Sequence, residues 1–193
     1  MIVQGLQDST EAVRRNSAFC VGVLIESTGT ALVEHFPSIL QMLHPVCIRT
    51  CDLSGASDSG GADIDNAISA VARMVKFAPS SLPLPQVLSM ILSSLPLKAD
   101  FNEGLVVYGC LCDLLDSNHP AATPLIKEFL VVFGKSLKMS KIEDDVKMRI
   151  ISTLYNLNNN YAAGGSQFFI AALQTIDPEN QLVIQQALAS YKR

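Results

Sequence analysis

Residues 61–103, GADIDNAISAVARMVKFAPSSLPLPQVLSMILSSLPLKADFNE, read as a helix, a proline-marked corner, a second helix and the entry to a third. From Ile64, apolar residues fall at Ile64, Ile68, Val71, Val75 and Ala78, flanked by Ala67, Ala70, Met74 and Phe77, which is helical spacing. Asp65, Asn66, Ser69, Arg73 and Lys76 lie on the opposite side, so this helix has a broad face to bury and a narrow polar stripe. Function is expected on the stripe. Pro83 or Pro85 suits the first turn of the next helix, where a missing backbone donor costs nothing, and that helix should end before Pro96.

The same grammar extends in both directions. Met1 leads straight into Ile2-Val3-Gln4-Gly5-Leu6, the tail of a helix, so the sequence is expected to begin inside a repeating unit, with Met1 as an added initiator. Asp8 and Glu11 mark a helix start; the helix runs to about Ser27 and Gly29 ends it. Val13, Ser17, Cys20, Val21 and Leu24 are its expected buried face, with Arg15, Phe19, Val23 and Glu26 towards the other side. Thr30 to Cys51 is apolar and helical, with a kink or break at Pro37 or Pro45. Residues 53–62, LSGASDSGGA, have almost nothing to bury and read as a flexible connection; no Gly-Lys-Ser/Thr follows their glycines, as a phosphate loop would need.

Beyond the central stretch, Asp100 to Asp116 shows a stripe of Leu105, Tyr108, Cys112 and Leu115 and is apolar nearly all round. Ala121–Met139 (Ile126, Phe129, Leu130, Phe133 and Leu137 inward) pairs with Glu143–Tyr161 (Val146, Ile150, Leu154 and Leu157 inward). Gly164-Gly165 precedes a shorter, more polar pair, Gln167–Thr175 and Pro178–Tyr191, suited to cap a stack. The second helices begin near Asp8, Asp63, Asp100, Glu143 and Pro178, at steps of about 55, 37, 43 and 35 residues. A helix pair cannot bury its own apolar face, so neighbours must stack. The expected fold is all-α: one array over residues 1–193, an α-solenoid of about five stacked antiparallel helix pairs, with a globular bundle as the alternative.

Asp-Asn-Ala-Ile-Ser-Ala-Val-Ala-Arg-Met at 65–74, the Pro-Leu-Pro corner at 83–85, Leu-Pro-Leu-Lys at 95–98 and Ala-Asp-Phe-Asn-Glu at 99–103 together resemble consecutive HEAT repeats near the C-terminal end of an importin-β-family nuclear transport receptor, or karyopherin, of the importin-4-like type. The resemblance implies the last part of a longer receptor that shuttles between cytoplasm and nucleus and binds basic cargo, histones H3 and H4 or ribosomal proteins. Cargo would lie on the concave surface lined by second helices, and Ran would bind through N-terminal repeats outside this sequence. Matching residues 65–74 to 15–24 then nominates Asn16, Phe19, Glu26, Asp65, Asn66, Ser69 and Arg73 as inward-facing. The next helix adds Glu103 beside Asp65 and Val107 beside Ser69, with Asp113 and Asp116 as extensions.

Composition agrees with a basic partner. The 193 residues are 49% hydrophobic with no Trp, which suits helix on helix, and a net charge of −4 disfavours direct nucleic-acid contact. Apolar runs are broken by Pro, Asp or Lys before reaching membrane-spanning length. The five cysteines, an odd set on helical faces, read as reduced core thiols. His44, Cys47 and Cys51 share a face but lack a second ligand pair for zinc, and Cys110 and Cys112 point to two faces, so no metal or cofactor is expected. No nucleophile stands with a base at a catalytic spacing, which argues against an enzyme.

Acidic residues recur where second helices start: Asp63, Asp65, Asp100, Glu103, Glu143, Asp144, Asp145 and Glu179. Each can act as a helix-terminus charge worth about 0.3–1 kcal/mol; in parallel register they would instead form an acidic ledge for basic chains. A third outcome is a scaffold that caps a longer solenoid without binding cargo.

Overall fold

The computed structural model describes residues 2–50, 60–159 and 165–191, and these contain nine α-helices and short 3-10 turns. The chain divides into two compact units, residues 1–110 and 111–193. The helices are α1 (Glu11–Thr28), α2 (Phe36–Cys47), α3 (Ala62–Phe77), α4 (Leu84–Ser94), α5 (Gly104–Asp116), α6 (Ile126–Lys138), α7 (Asp144–Asn159), α8 (Gly165–Leu173) and α9 (Pro178–Ser190). Counting the 3-10 turn Ile2–Gln7 as the partner of α1, they form five successive pairs among the described residues. The expected connection at 53–62 falls mostly on residues 51–59, which lie outside the described residues, as do Met1, Cys51, Tyr161 and Gly164.

In the first unit α1 packs along α3, while α2 packs on α3 and on the 2–7 turn, and α4 on α3 and α2. The α1–α3 register is parallel: Glu11 meets the Gly61 amide, Arg14 meets Asp63, Gly22 faces Ala70, and Glu26 meets Arg73 and Lys76. Gly61 opens α3 with φ 98°, a left-handed conformation that glycine adopts without a Cβ clash. Gly29 closes α1 with φ 56°. Pro37 takes the first turn of α2, where its missing donor is harmless, and Pro45 falls in the last turn.

Three expectations change. The buried face of α1 is Arg14, Ala18, Val21, Gly22 and Ile25, whereas Val13 and Leu24 are about 40% exposed and Cys20 is exposed. Gly22 without a side chain lets α1 approach Ala70, and Arg14 turns inward to reach Asp63, so the contact face is rotated from the most apolar one. Leu105 is exposed, while Tyr108, Cys112 and Leu115 of its stripe are buried. The run Glu11–Cys47 is long and apolar enough to cross a membrane by length and composition alone, but the break at Gly29 and the inward ion pair of Arg14 identify it as two packed helices.

In the second unit α6 packs on α8 and α9, and α7 on α8 and α9. Phe129, Leu130, Phe133, Val146, Ile150, Leu154, Phe169 and Ile184 fill the core between them. Phe129 and Phe133, one turn apart, meet edge to face at 6.0 Å between ring centres. Asp177 caps α9 by accepting from the Asn180 amide at 3.0 Å, and this bond holds its carboxyl below the usual carboxylate range.

Candidate functional site

The polar stripe of α3 is covered: every residue from Ala62 to Ala72 is buried. Two neighbours close over it. On one side Arg14 Nε donates to Asp63 Oδ2 at 2.7 Å, with Arg49 Nη2 at 3.3 Å from the same oxygen. On the other, the segment before α5 folds against the stripe. Asp65 accepts the backbone amides of Lys98, Ala99 and Asp100 at 2.7–3.1 Å, which is how one carboxylate fixes the entry to the third helix. Burial pushes the Asp65 carboxyl up from its ordinary value, while those amides pull it down. Asn66 Nδ2 donates to the Ala62 carbonyl and to Asp100 Oδ2, both at 2.9 Å.

One turn on, Ser69 Oγ donates to Glu103 Oε2 and accepts from Arg73 Nη1, which also donates to Glu103 Oε2 at 2.9 Å. Arg73 Nε lies 3.4 Å from Glu26 Oε2, and Lys76 Nζ 3.1 Å from Glu26 Oε1. A chain of alternating charge, Lys76, Glu26, Arg73, Glu103, thus ties α1, α3 and the entry to α5 together.

Of the nominated residues, the structure brings Glu26, Asp65, Asn66, Ser69, Arg73 and Glu103 into this seam. Asp65, Asn66, Ser69, Glu103 and Val107 are buried; the polar ones bond inside the fold, except that Asn66 Oδ1 is buried with no hydrogen-bond partner among the described residues. Asn16, Phe19 and Glu26 are exposed on α1, and Asp113 is exposed on α5. In the second unit Arg149 Nη2 donates to Asp113 Oδ1 at 2.6 Å, and Arg149 Nη1 and Thr153 Oγ1 donate to Asp116 Oδ2 at 2.7 and 3.0 Å. Sequence reading missed Arg14 and Arg149 as the cations of these clusters. Arg14 lies one turn into a helix whose neighbour starts with carboxylates, and Arg149 lies in α7, whose neighbour α5 ends with two of them, Asp113 and Asp116; such placement is the signal that could have found them.

No protein-family model matches the chain. It is 28% identical to human importin-4 over 188 residues, or 97% of its length. Over 155 residues, 80% of the chain, it is 30% identical to mouse importin-4. Over 178 residues, 90% of the chain, it is 26% identical to a probable importin subunit beta-4 of Schizosaccharomyces pombe. The chain spans 14–16% of the length of these relatives. Helix pairs following one another along such a similarity are the all-α, helical-repeat class of the α-solenoids, and the chain belongs to the karyopherin family as an importin-4-like sequence.

Proposed function

We propose that this chain is part of a nuclear import receptor that moves between cytoplasm and nucleus, and that it binds a basic, extended segment of cargo such as a histone H3 or H4 tail or a ribosomal protein. The observation that carries the reading is the similarity to importin-4 proteins along 80–97% of the chain. The net charge of −4 supports a basic partner. The nominated residues divide by burial: Asn16, Phe19, Glu26 and Asp113 can touch cargo directly, while Asp65, Asn66, Ser69, Arg73, Glu103 and Val107 hold the helices in register beneath. Exposed ion pairs contribute about 0.2–1 kcal/mol each, against about 8.2 kcal/mol for micromolar affinity, so several contacts must act together. Family members engage Ran as well, and that contact is assigned to parts of the receptor outside this sequence.

The test is calorimetric titration of an H3 tail peptide into the chain at low and physiological salt, repeated with Glu26→Lys and Asp113→Lys. Binding that weakens with salt and falls in both variants supports the reading. A second reading, a scaffold that stiffens and caps a longer array, is favoured by the inward pairing of Asp63, Asp65 and Glu103. Absence of binding at low salt would leave that one standing.

A further inference from the structure

We propose that the apolar pocket bounded by the ends of α5 and α7, the turn leading into α6 and the start of α8 is a socket for one aliphatic side chain, leucine, isoleucine or methionine, of an extended partner segment. It rests on the reading of the chain as a binder of such a segment, but not on the segment's charge.

The pocket lies within the second unit and measures about 120 Å³. Its lining grades from dry to wet. Leu114, Leu115, Ala122 and Phe169 are buried, Ile126 and Leu157 are half-buried, and Phe168 is 66% exposed. Apolar surface that stays partly in water in the chain alone gains from being covered.

Three observations select the occupant. No Asp, Glu, Lys or Arg lines the pocket, so a charged side chain entering it would leave water with no opposite charge to meet. Size comes second. A cavity of roughly 150 Å³ takes a benzene ring, and sites for whole small molecules run to about 300–1,000 Å³. A pocket of about 120 Å³ therefore suits one branched or flexible aliphatic side chain, and is too small for a phenylalanine ring or a cofactor. Third, Asn118 and Thr123 line the same pocket, are exposed, and use neither side chain in a hydrogen bond among the described residues. An anchoring side chain arrives on a backbone whose N–H and C=O groups lose water as it docks, and an amide and a hydroxyl can replace that water. A free apolar molecule would use neither.

The distribution of charge favours such an anchor here. Residues 1–110 hold ten Asp and Glu against six Lys and Arg, whereas residues 111–193 hold eight acidic and eight basic residues. The acidic excess of the chain thus belongs to the first unit, and the second has no net pull on a basic segment. Burying one aliphatic side chain contributes more than an exposed ion pair does.

The test uses the full 193-residue chain. N-acetylleucine methylamide, titrated by methyl NMR, should shift the methyls of Ala122, Ile126 and Leu157, and should saturate at lower concentration than the phenylalanine and lysine analogues. Thr123→Lys, at an exposed position, sets a cation at the rim and should weaken the leucine probe severalfold. Ile126→Phe should fill the pocket and abolish the shifts, with thermal melts to establish that both variants fold. In a second arm, a basic peptide with one leucine should lose about tenfold in affinity when that leucine becomes alanine, and the loss should shrink in both variants. Tighter binding of the phenylalanine or lysine probe, or shifts confined to other methyls, would overturn the socket. Shifts of these methyls on raising the protein concentration alone would assign the pocket to a second copy and overturn it as well. Peptides that bind equally with leucine or alanine would remove the socket and leave the basic-cargo reading standing. A pocket filled by the leucine probe with no peptide binding would instead overturn that reading, and with it the partner assigned to the socket.

Discussion

Arg14 and Asp63 meet inside the first unit across 2.7 Å, with both side chains closed to solvent, and Arg14 Nη1 also donates to the carbonyls of Asp8 and Ser9 at 2.7 and 2.8 Å. The pair locks the start of α3 to α1 forty-nine residues away in sequence. Removing the cation alone leaves a buried carboxylate, so Arg14→Met should cost about 3–5 kcal/mol in urea unfolding. Arg49, 3.3 Å from the same oxygen, holds that loss towards the lower figure. The double change Arg14→Met with Asp63→Leu should recover much of it, because a buried ion pair and an apolar replacement are close in energy. A single variant as stable as the parent would contradict the buried pairing.

Glu26 and Glu103 both hold Arg73, yet they should answer charge reversal differently. Glu103 is 8% exposed and receives the Ser69 hydroxyl as well. Glu103→Lys would set two cations together away from water and should cost several kcal/mol, about 3–5 by the measure of broken buried pairs. Glu26, 45% exposed, can be reversed for under about 1 kcal/mol. Thermal melts of the two variants check this, and a stable Glu26→Lys is the condition that makes it a clean probe of cargo binding.

Two helical glycines predict opposite outcomes. A Cβ on Gly134 of α6 would lie 2.8 Å from the Asn180 Cβ of α9, so Gly134→Ala must push α9 away and should destabilise by about 1–3 kcal/mol despite the better helix former. At Gly109 of α5 a Cβ meets nothing within 4 Å, and Gly109→Ala should stabilise by about 0.5–1 kcal/mol. Chemical denaturation of both variants settles the pair of signs.

The helices were legible because periodicity and punctuation agree: the apolar spacing from Ile64 lies within Ala62–Phe77, and the proline corner precedes Leu84–Ser94. The face of α1 was not, because apolarity chose Val13 and Leu24 while the contact is made by a glycine and an arginine. The stripe of Asp65, Asn66, Ser69 and Arg73 was located correctly, but its cover was invisible. Periodicity within one helix records which side is polar; it does not record that the backbone of residues 98–100, more than thirty positions later, closes over that side and uses the carboxylate as an anchor.

Thiol chemistry gives a pH-dependent prediction. Burial pushes the Cys47 thiol up to about 12 and the Cys112 thiol up to about 11, and outweighs the lowering pull of hydrogen bonds and of Lys98 and Arg149. Each group in the folded chain therefore ionises above its unfolded value of about 8.5. A raised value means stability that is fully present below about pH 8.5 and lost as pH rises through the folded value, because only the unfolded chain releases its proton in between. Replacing Cys47 by Ala removes that contribution along with some packing. The stability gap between parent and Cys47→Ala should accordingly narrow by about 2 kcal/mol between pH 8 and pH 10.5. At pH 8 an alkylating reagent should modify exposed Cys20 while sparing Cys47 and Cys112 until urea unfolds the chain. A gap that widens with pH, or rapid labelling of Cys47 in the folded protein, would show that the thiol is not enclosed.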